Sequence, residues 1–303
     1  MSKFETFDFS QAIPIVAEDT EFFPLLTQED EDNMANAEIP EALSILPLRN
    51  TVLFPGVVIP ITVGRDKSIK LVKEAYKGSK TIGVVSQKDM TVEDPGFEEL
   101  NKVGTVAHII KVLQMPDGNT TVIIQGKQRF NLLEIVDTEP YLKARVEKFN
   151  EAKPKMTKHF KATISTLKEM ALQIIQLSPN LPSEAGIAIK NIESPSFLIN
   201  FISSNINVEM TKKQELLQIP KVENRAKLLL ELLTTEIQML ELKHQIQNKV
   251  RVDLDKQQRD YFLNQQLKTI QEELGGNTPD LELEELKKRG KTKKWSIEVE
   301  KHF

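Results

Sequence analysis

The chain of 303 residues contains no cysteine. That excludes disulfides, thiolate metal sites and a cysteine nucleophile. Histidine is scarce: His108, His159, His244 and His302 complete the set, and none belongs to an H-E-x-x-H pattern. No carboxylate cluster has metal-ligand spacing, so no metal and no cofactor are expected. His108 lies in a strand pattern and reads as structural. No G-x-S-x-G elbow occurs. Gly290-Lys291-Thr292 resembles the end of a phosphate-binding loop, but Glu285 stands where that motif needs its first glycine. The residues before it are charged rather than an apolar strand, so nothing there converges backbone N–H groups on a phosphate. No apolar run reaches the roughly 18 residues of a membrane-spanning helix. Met1 to Phe9 carries acids and lacks the apolar centre of a secretory signal, which points to the cytoplasm. Neither sign of charge dominates: 40 basic and 44 acidic residues leave a net charge of -4. Such a surface has no general attraction for nucleic acid or anionic lipid. With these chemistries removed, the stretch reads as non-catalytic.

What is present divides into segments. The length favours about two domains, and 40% apolar content supplies a core. Residues 1–41 are rich in acids (Glu18, Asp19, Glu21, Glu29, Asp30, Glu31, Asp32) and read as a disordered tail. Residues 42–153 carry short β-branched runs broken by Gly, Pro and Asn. Strands are predicted at Leu43–Leu48, Val57–Val63, Thr81–Ser86, Val103–Leu113, Thr120–Gln125, Phe130–Val136 and Tyr141–Phe149. Met115-Pro116-Asp117-Gly118-Asn119 supplies a hairpin turn between two of them. Ile69, Val72 and Tyr76 are spaced as on a helix, with Asp66 as N-cap. The segment is therefore a mostly antiparallel β domain with at least one helix.

Residues 154–220 switch to helical periodicity. Ile164, Leu167, Ala171, Leu172, Ile174 and Ile175 mark one helix, and Ser183 is placed to cap a second carrying Ile187, Ile189 and Ile192. Ser194 before Pro195 starts a third. Thr211 and Gln214 fit a capping box before Leu216 and Leu217. This is a small helical bundle.

Between Pro220 and Gly275 there is neither proline nor glycine. The stretch 221–274 is predicted to be one helix of roughly 80 Å. Its apolar stripe runs through Leu230, Leu233, Ile237 and Leu240, then Ile246, Val250 and Leu254, then Leu263, Leu267, Ile270 and Leu274. The seam weakens at His244, Gln247, Gln257 and Gln258. So narrow a stripe on so long a helix predicts packing on the bundle at first, then a projecting coiled-coil arm. Residues 275–303 read as a linker and the start of a further module, cut short. The fold class is α+β: an antiparallel β pseudo-barrel, a small helical bundle and one long projecting helix.

Three segments carry a resemblance. Ile45-Leu-Pro-Leu-Arg-Asn-Thr-Val-Leu-Phe-Pro-Gly-Val-Val-Ile-Pro-Ile61 resembles the opening of the Lon N-terminal domain. Gln125-Gly-Lys-Gln-Arg-Phe130 resembles that family's Gly-x-x-Arg strand entry. Arg259-Asp-Tyr-Phe-Leu-Asn-Gln-Gln-Leu-Lys-Thr-Ile-Gln-Glu-Glu-Leu-Gly275 resembles the helix that precedes the ATPase module in Lon proteases. The resemblance implies a PUA-like β domain, assembly into a homohexamer, and a role in recognising misfolded, damaged or selected regulatory proteins. It also implies that ATP, Mg and the Ser-Lys dyad belong to AAA+ and protease modules outside this stretch.

Two functions follow as expectations. In the first, the chain is a substrate-recognition and assembly region of an ATP-dependent serine protease. Unfolded protein would meet Phe54, Pro55, Val57, Met90 and Met115, since apolar and methionine-bearing surfaces suit promiscuous capture. Tyr261, Phe262, Leu263, Leu267 and Ile270 would contact neighbouring chains or the ring. In the second, the chain is a structural or DNA-associated scaffold. Lys287, Lys288, Arg289, Lys291, Lys293 and Lys294 beside Trp295 would then make a weak, salt-sensitive DNA contact.

Overall fold

A computed structural model describes residues 31, 33, 34, 37–115, 120–152, 154–178, 184–273 and 279–292. Most of the acidic tail (residues 1–30, 32, 35 and 36), the hairpin turn at 116–119, Ser183 and the end from 293 onward lie outside the described residues. Two compact units are distinguished, Met1–Glu241 and Leu242–Phe303.

In the first unit six strands form one sheet: β1 Ala42–Leu48, β2 Val58–Val63, β3 Thr81–Ser86, β4 Val103–Gln114, β5 Thr120–Asp137 and β6 Lys143–Lys148. The order is β2-β5-β4-β3-β1-β6, and β6 also pairs with β5. The second pairing closes β1, β3, β4, β5 and β6 into a ring and leaves β2 outside it. Every pairing is antiparallel except β1 with β3, which is parallel. That crossover is bridged by helix α1, Asp66–Lys77, which buries Leu71 and Val72. Asp66 is the first helical residue rather than the cap, which is Arg65. Its acidic side chain in the first turn still opposes the positive helix end.

The two strands predicted at Thr120–Gln125 and Phe130–Val136 are one strand of 18 residues. Gly126 suggested a break. It is instead a place where the ladder continues and another backbone comes close. The first half of β5 pairs with β2 and the second half with β6, so its length is what closes the ring. Two apolar clusters fill the β region: one with Leu53, Ile82, Ile109 and Ile124, the other with Ile45, Leu100, Phe130 and Ala144.

The bundle comprises α2 Lys158–Leu177, α3 Glu184–Asn191, α4 Pro195–Asn205 and α5 Met210–Gln218. Ser194 caps α4 as expected, its Oγ accepting from Phe197 N at 3.2 Å, with Pro195 at the first helical position. Thr157 caps α2 in the same way. The predicted capping box at α5 does not form, because the helix starts one residue before Thr211 and Gln214 turns inward. Gln214 accepts from Ser86 Oγ at 2.7 Å and donates to Val103 O at 2.8 Å. A buried amide with good partners on β3 and β4 is worth more here than a solvent-exposed cap. One apolar cluster runs through Val52, Phe54 and Val57 of the β region and Phe160, Leu167, Leu198, Leu216 and Leu229 of the helices. The predicted β domain and bundle therefore share a core.

Helix α6, Val222–Glu273, has 52 residues and starts and stops within two residues of the predicted span. Its first part buries Val222, Arg225, Ala226, Leu229, Leu233 and Ile237. The seam is centred on Leu229 rather than Leu230, and it carries a buried arginine. In the second unit, the rest of α6 is followed by α7, Pro279–Thr292.

Candidate functional site

The loop 49–57 joins β1 to β2 and contains the Phe-Pro-Gly of the first resembling segment. Gly56 has φ of 81°, in the left-handed region where a side chain is penalised. Gly56 N donates to Gly126 O at 2.9 Å, and Gly126 N donates to Val57 O at 2.9 Å. A Cβ on Gly126 would collide with the backbone carbonyl of Phe54. The glycine of the Gly-x-x-Arg segment is thus the seat of the Phe-Pro-Gly loop. Two sequence segments 70 residues apart are halves of one joint.

The arginine of that segment does a second job. Arg129 Nη1 donates to Leu217 O at 2.5 Å and to Ile219 O at 2.9 Å, satisfying carbonyls at the end of α5. Its Nη2 lies 2.8 Å from Glu151 Oε2, and its guanidinium stacks 4.2 Å from the Phe149 ring centroid. The other oxygen of Glu151 pairs with Arg225 at the start of α6. Arg225 Nη1 donates to Asn200 Oδ1 at 2.9 Å, and Asn200 Nδ2 donates to Pro55 O at 3.1 Å. A continuous polar chain therefore runs from the Pro55 loop through Asn200, Arg225 and Glu151 to Arg129 and the end of α5.

Both guanidinium groups are almost fully buried, and Glu151 is the partner open to water, at 35% side-chain exposure. Burial pulls the Arg225 pKa down to about 10, opposed by Glu151 and reinforced by Arg129. Burial also lowers Arg129, with Glu151 pulling it back up. At neutral pH both stay charged, so one carboxylate balances two cations. Sequence reading found Arg129 only through the resemblance and missed Arg225, Glu151 and Asn200. Their signal was weak: an arginine on the apolar seam of α6, at the spacing Val222, Arg225, Leu229.

The candidate capture residues separate. Phe54 and Val57 lie in the core at 0% and 5% exposure and offer no surface, because the Phe-Pro-Gly turn points them at the bundle. Pro55 is half-buried above them. Met90 and Met115 are exposed, and so are Met156, Ile187 and Met239, which were not anticipated.

In the second unit Tyr261, Phe262, Leu263, Leu267 and Ile270 are all exposed, from 50% to 71%. Ile246, Val250 and Leu254 are exposed as well. The expected single stripe is two. At about 100° per residue, Ile246, Val250, Leu254 and Tyr261 fall on one face. Leu263, Leu267 and Ile270 fall on another, with centres about 140° apart by the same geometry. One partner helix cannot cover both. The basic residues Lys287, Lys288, Arg289 and Lys291 are exposed on α7, where Arg289 reaches Glu285 at 4.0 Å. Lys293, Lys294 and Trp295 lie outside the described residues.

Among the described residues no group of three or more His, Asp or Glu side chains is placed to hold a metal. Among them also, no helix is long and apolar enough to cross a membrane. The features that stand out are, in the first unit, the Phe54–Gly126 joint and the exposed methionines and, in the second unit, an apolar helix surface.

Residues 42–235 match the family described as the ATP-dependent protease La (LON) substrate-binding domain. The chain belongs to that family. The Lon protease of Flavobacterium johnsoniae is 56% identical over 94% of this chain and 35% of its own length. That of Cytophaga hutchinsonii is 51% identical over the same shares. The chain thus spans about a third of the length of these relatives. Among solved structures, the N-terminal domain of a Mycobacterium avium complex Lon protease covers 64% of this chain and 98% of its own, at a TM-score of 0.54 and 21% identity. That likeness concerns the fold, and it agrees with the α+β class.

Proposed function

We propose that this chain receives unfolded or damaged protein for an ATP-dependent Lon-type protease and helps that protease assemble. The observation that carries the reading is the family match over residues 42–235 combined with an apolar α6 surface that nothing among the described residues covers. Unfolded chains differ from folded ones in showing apolar side chains and unpaired backbone, and exposed methionines adapt to either. Hydrolysis of ATP and peptide, with Mg, belongs on this reading to modules outside the stretch, working in the cytoplasm. The two faces of α6 would each meet a neighbour, as a closed homo-oligomer requires when one surface cannot serve two contacts.

Adding the chain in excess to a full-length Lon protease tests the reading. Degradation of an unfolded substrate should fall, while hydrolysis of a short chromogenic peptide should not. Unchanged degradation of the unfolded substrate would defeat it. The scaffold reading predicts instead a DNA affinity that falls steeply with salt and is lost when Lys291, Lys293 and Lys294 become Glu.

A further inference from the structure

The ring closes every strand of the sheet on both sides except one. β2 pairs with β5 and with no other strand among the described residues. Among the described residues, no other strand or helix makes more than marginal contact along it. In an antiparallel ladder, residues that exchange hydrogen bonds with the partner alternate with residues whose N–H and C=O point away. Pro60 fixes which is which. It lies opposite Ile123 and has no N–H to give, so the bonding pairs are Ile59 with Ile124, Ile61 with Val122 and Val63 with Thr120. The bond from Gly126 N to Val57 O, two residues before Ile59, gives the same phase. The N–H groups of Val58 and Thr62 and the carbonyls of Val58, Pro60 and Thr62 therefore face outward from the sheet. Thr62 is exposed, and Val58 and Pro60 are half-exposed.

We infer that this edge is where the captured polypeptide is held, by adding itself to the sheet as a further strand beside β2. The inference rests on the proposed function and gives it a place. The occupant follows from the chemistry of the edge. Five backbone groups at strand spacing, two donors and three acceptors, are matched by an extended backbone and by little else. Backbone bonding is blind to side chains, as a receiver of many different unfolded chains requires. A folded protein has its strands already paired and cannot offer one. Pro60 sets the strength: an uninterrupted edge would invite permanent pairing between copies, and removing the central donor leaves a grip that can let go. The loop that leads into β2 is anchored through Gly126, Thr105 and Asn200, so the edge is presented on a rigid base.

Amide hydrogen exchange on the intact chain tests this, with reduced, carboxymethylated lactalbumin as the unfolded probe. Exchange at Val58 and Thr62 should slow at least tenfold on binding, while Ile59, Ile61 and Val63, already paired, change little. Thr62→Pro removes one outward donor and should weaken binding about threefold to tenfold. If that variant fails to fold, a pair of synthetic peptides carries the test. A ten-residue Val/Thr peptide should compete with the probe, and the same peptide N-methylated at five consecutive residues should not. Binding that leaves the Val58 and Thr62 amides unchanged, or competition by both peptides alike, would overturn the edge while leaving the receiving function standing. No binding of the probe at all would remove both. Slow exchange at Val58 and Thr62 before any probe is added would also overturn it. In that case, a rise after removal of residues 1–36 would name the chain's own N-terminal segment as the occupant, and dependence on protein concentration would name a second copy.

Discussion

Replacing Glu151 with Gln should cost the first unit about 2–3 kcal/mol, although the change is nearly isosteric and a third of that side chain faces water. Among the described residues Glu151 is the single carboxylate between Arg129 and Arg225, and both arginine side chains are 1% exposed. Breaking a buried ion pair costs about 3–5 kcal/mol because the surviving charge is left desolvated. Here two cations survive, which raises the cost. Water reaching Glu151 screens the interaction, which lowers it. The Gln amide retains an acceptor for one arginine, so the loss is mainly of charge. Urea unfolding of wild type, Glu151→Gln, Arg225→Met and the double variant closes a thermodynamic cycle. The double variant should be more stable than Glu151→Gln alone, because it deletes one stranded cation and leaves Arg129 its carbonyl partners. A Glu151→Gln effect below about 0.5 kcal/mol, or additive single effects, would refute the claim that this triad clamps α6 to the β region.

Further outcomes follow from the same contacts. Gly126→Ala should destabilise the first unit by about 1–3 kcal/mol in urea unfolding, since the added methyl meets the rigid Phe54 carbonyl. Lys213, which donates to Ser204 O at 2.8 Å, has its pKa pulled down to about 8 by burial. The unfolded chain therefore holds this proton when the folded chain has released it, and stability should rise with pH between about 8 and 10.4. Urea midpoints across that window should show the rise in wild type and lack it in Lys213→Met. Changing Leu263, Leu267 and Ile270 together to Glu should leave urea unfolding of the first unit unchanged and abolish any concentration-dependent association seen by light scattering. An unaltered association would move the contact to the Ile246, Val250 and Leu254 face.

The parts legible beforehand were those written in local periodicity. The β-branched runs placed the strands, and the proline- and glycine-free stretch placed α6 within two residues. What escaped was decided by contacts far apart in sequence. Gly126 looks like a strand breaker until Phe54 is seen against it. Gln214 looks like a capping residue until Ser86 and the Val103 carbonyl are seen beside it. Phe54 and Val57 looked available because loops usually lie outside, but this loop is covered by the bundle. The Arg129–Glu151–Arg225 triad joins three segments with no shared periodicity, and no pattern within one of them reveals it. The two faces of α6 were visible in principle: stepping at 100° per residue separates them, whereas stepping by threes and fours hides the drift.

The account depends on the first unit recognising what unfolding exposes. Fluorescence anisotropy of a labelled lactalbumin titrated with the 303-residue chain measures this directly, once with the protein native and once reduced and carboxymethylated. Saturable binding of the unfolded form, with no binding of the native form at the same concentrations, is the predicted result. Equal binding of both forms, or of neither, would contradict it.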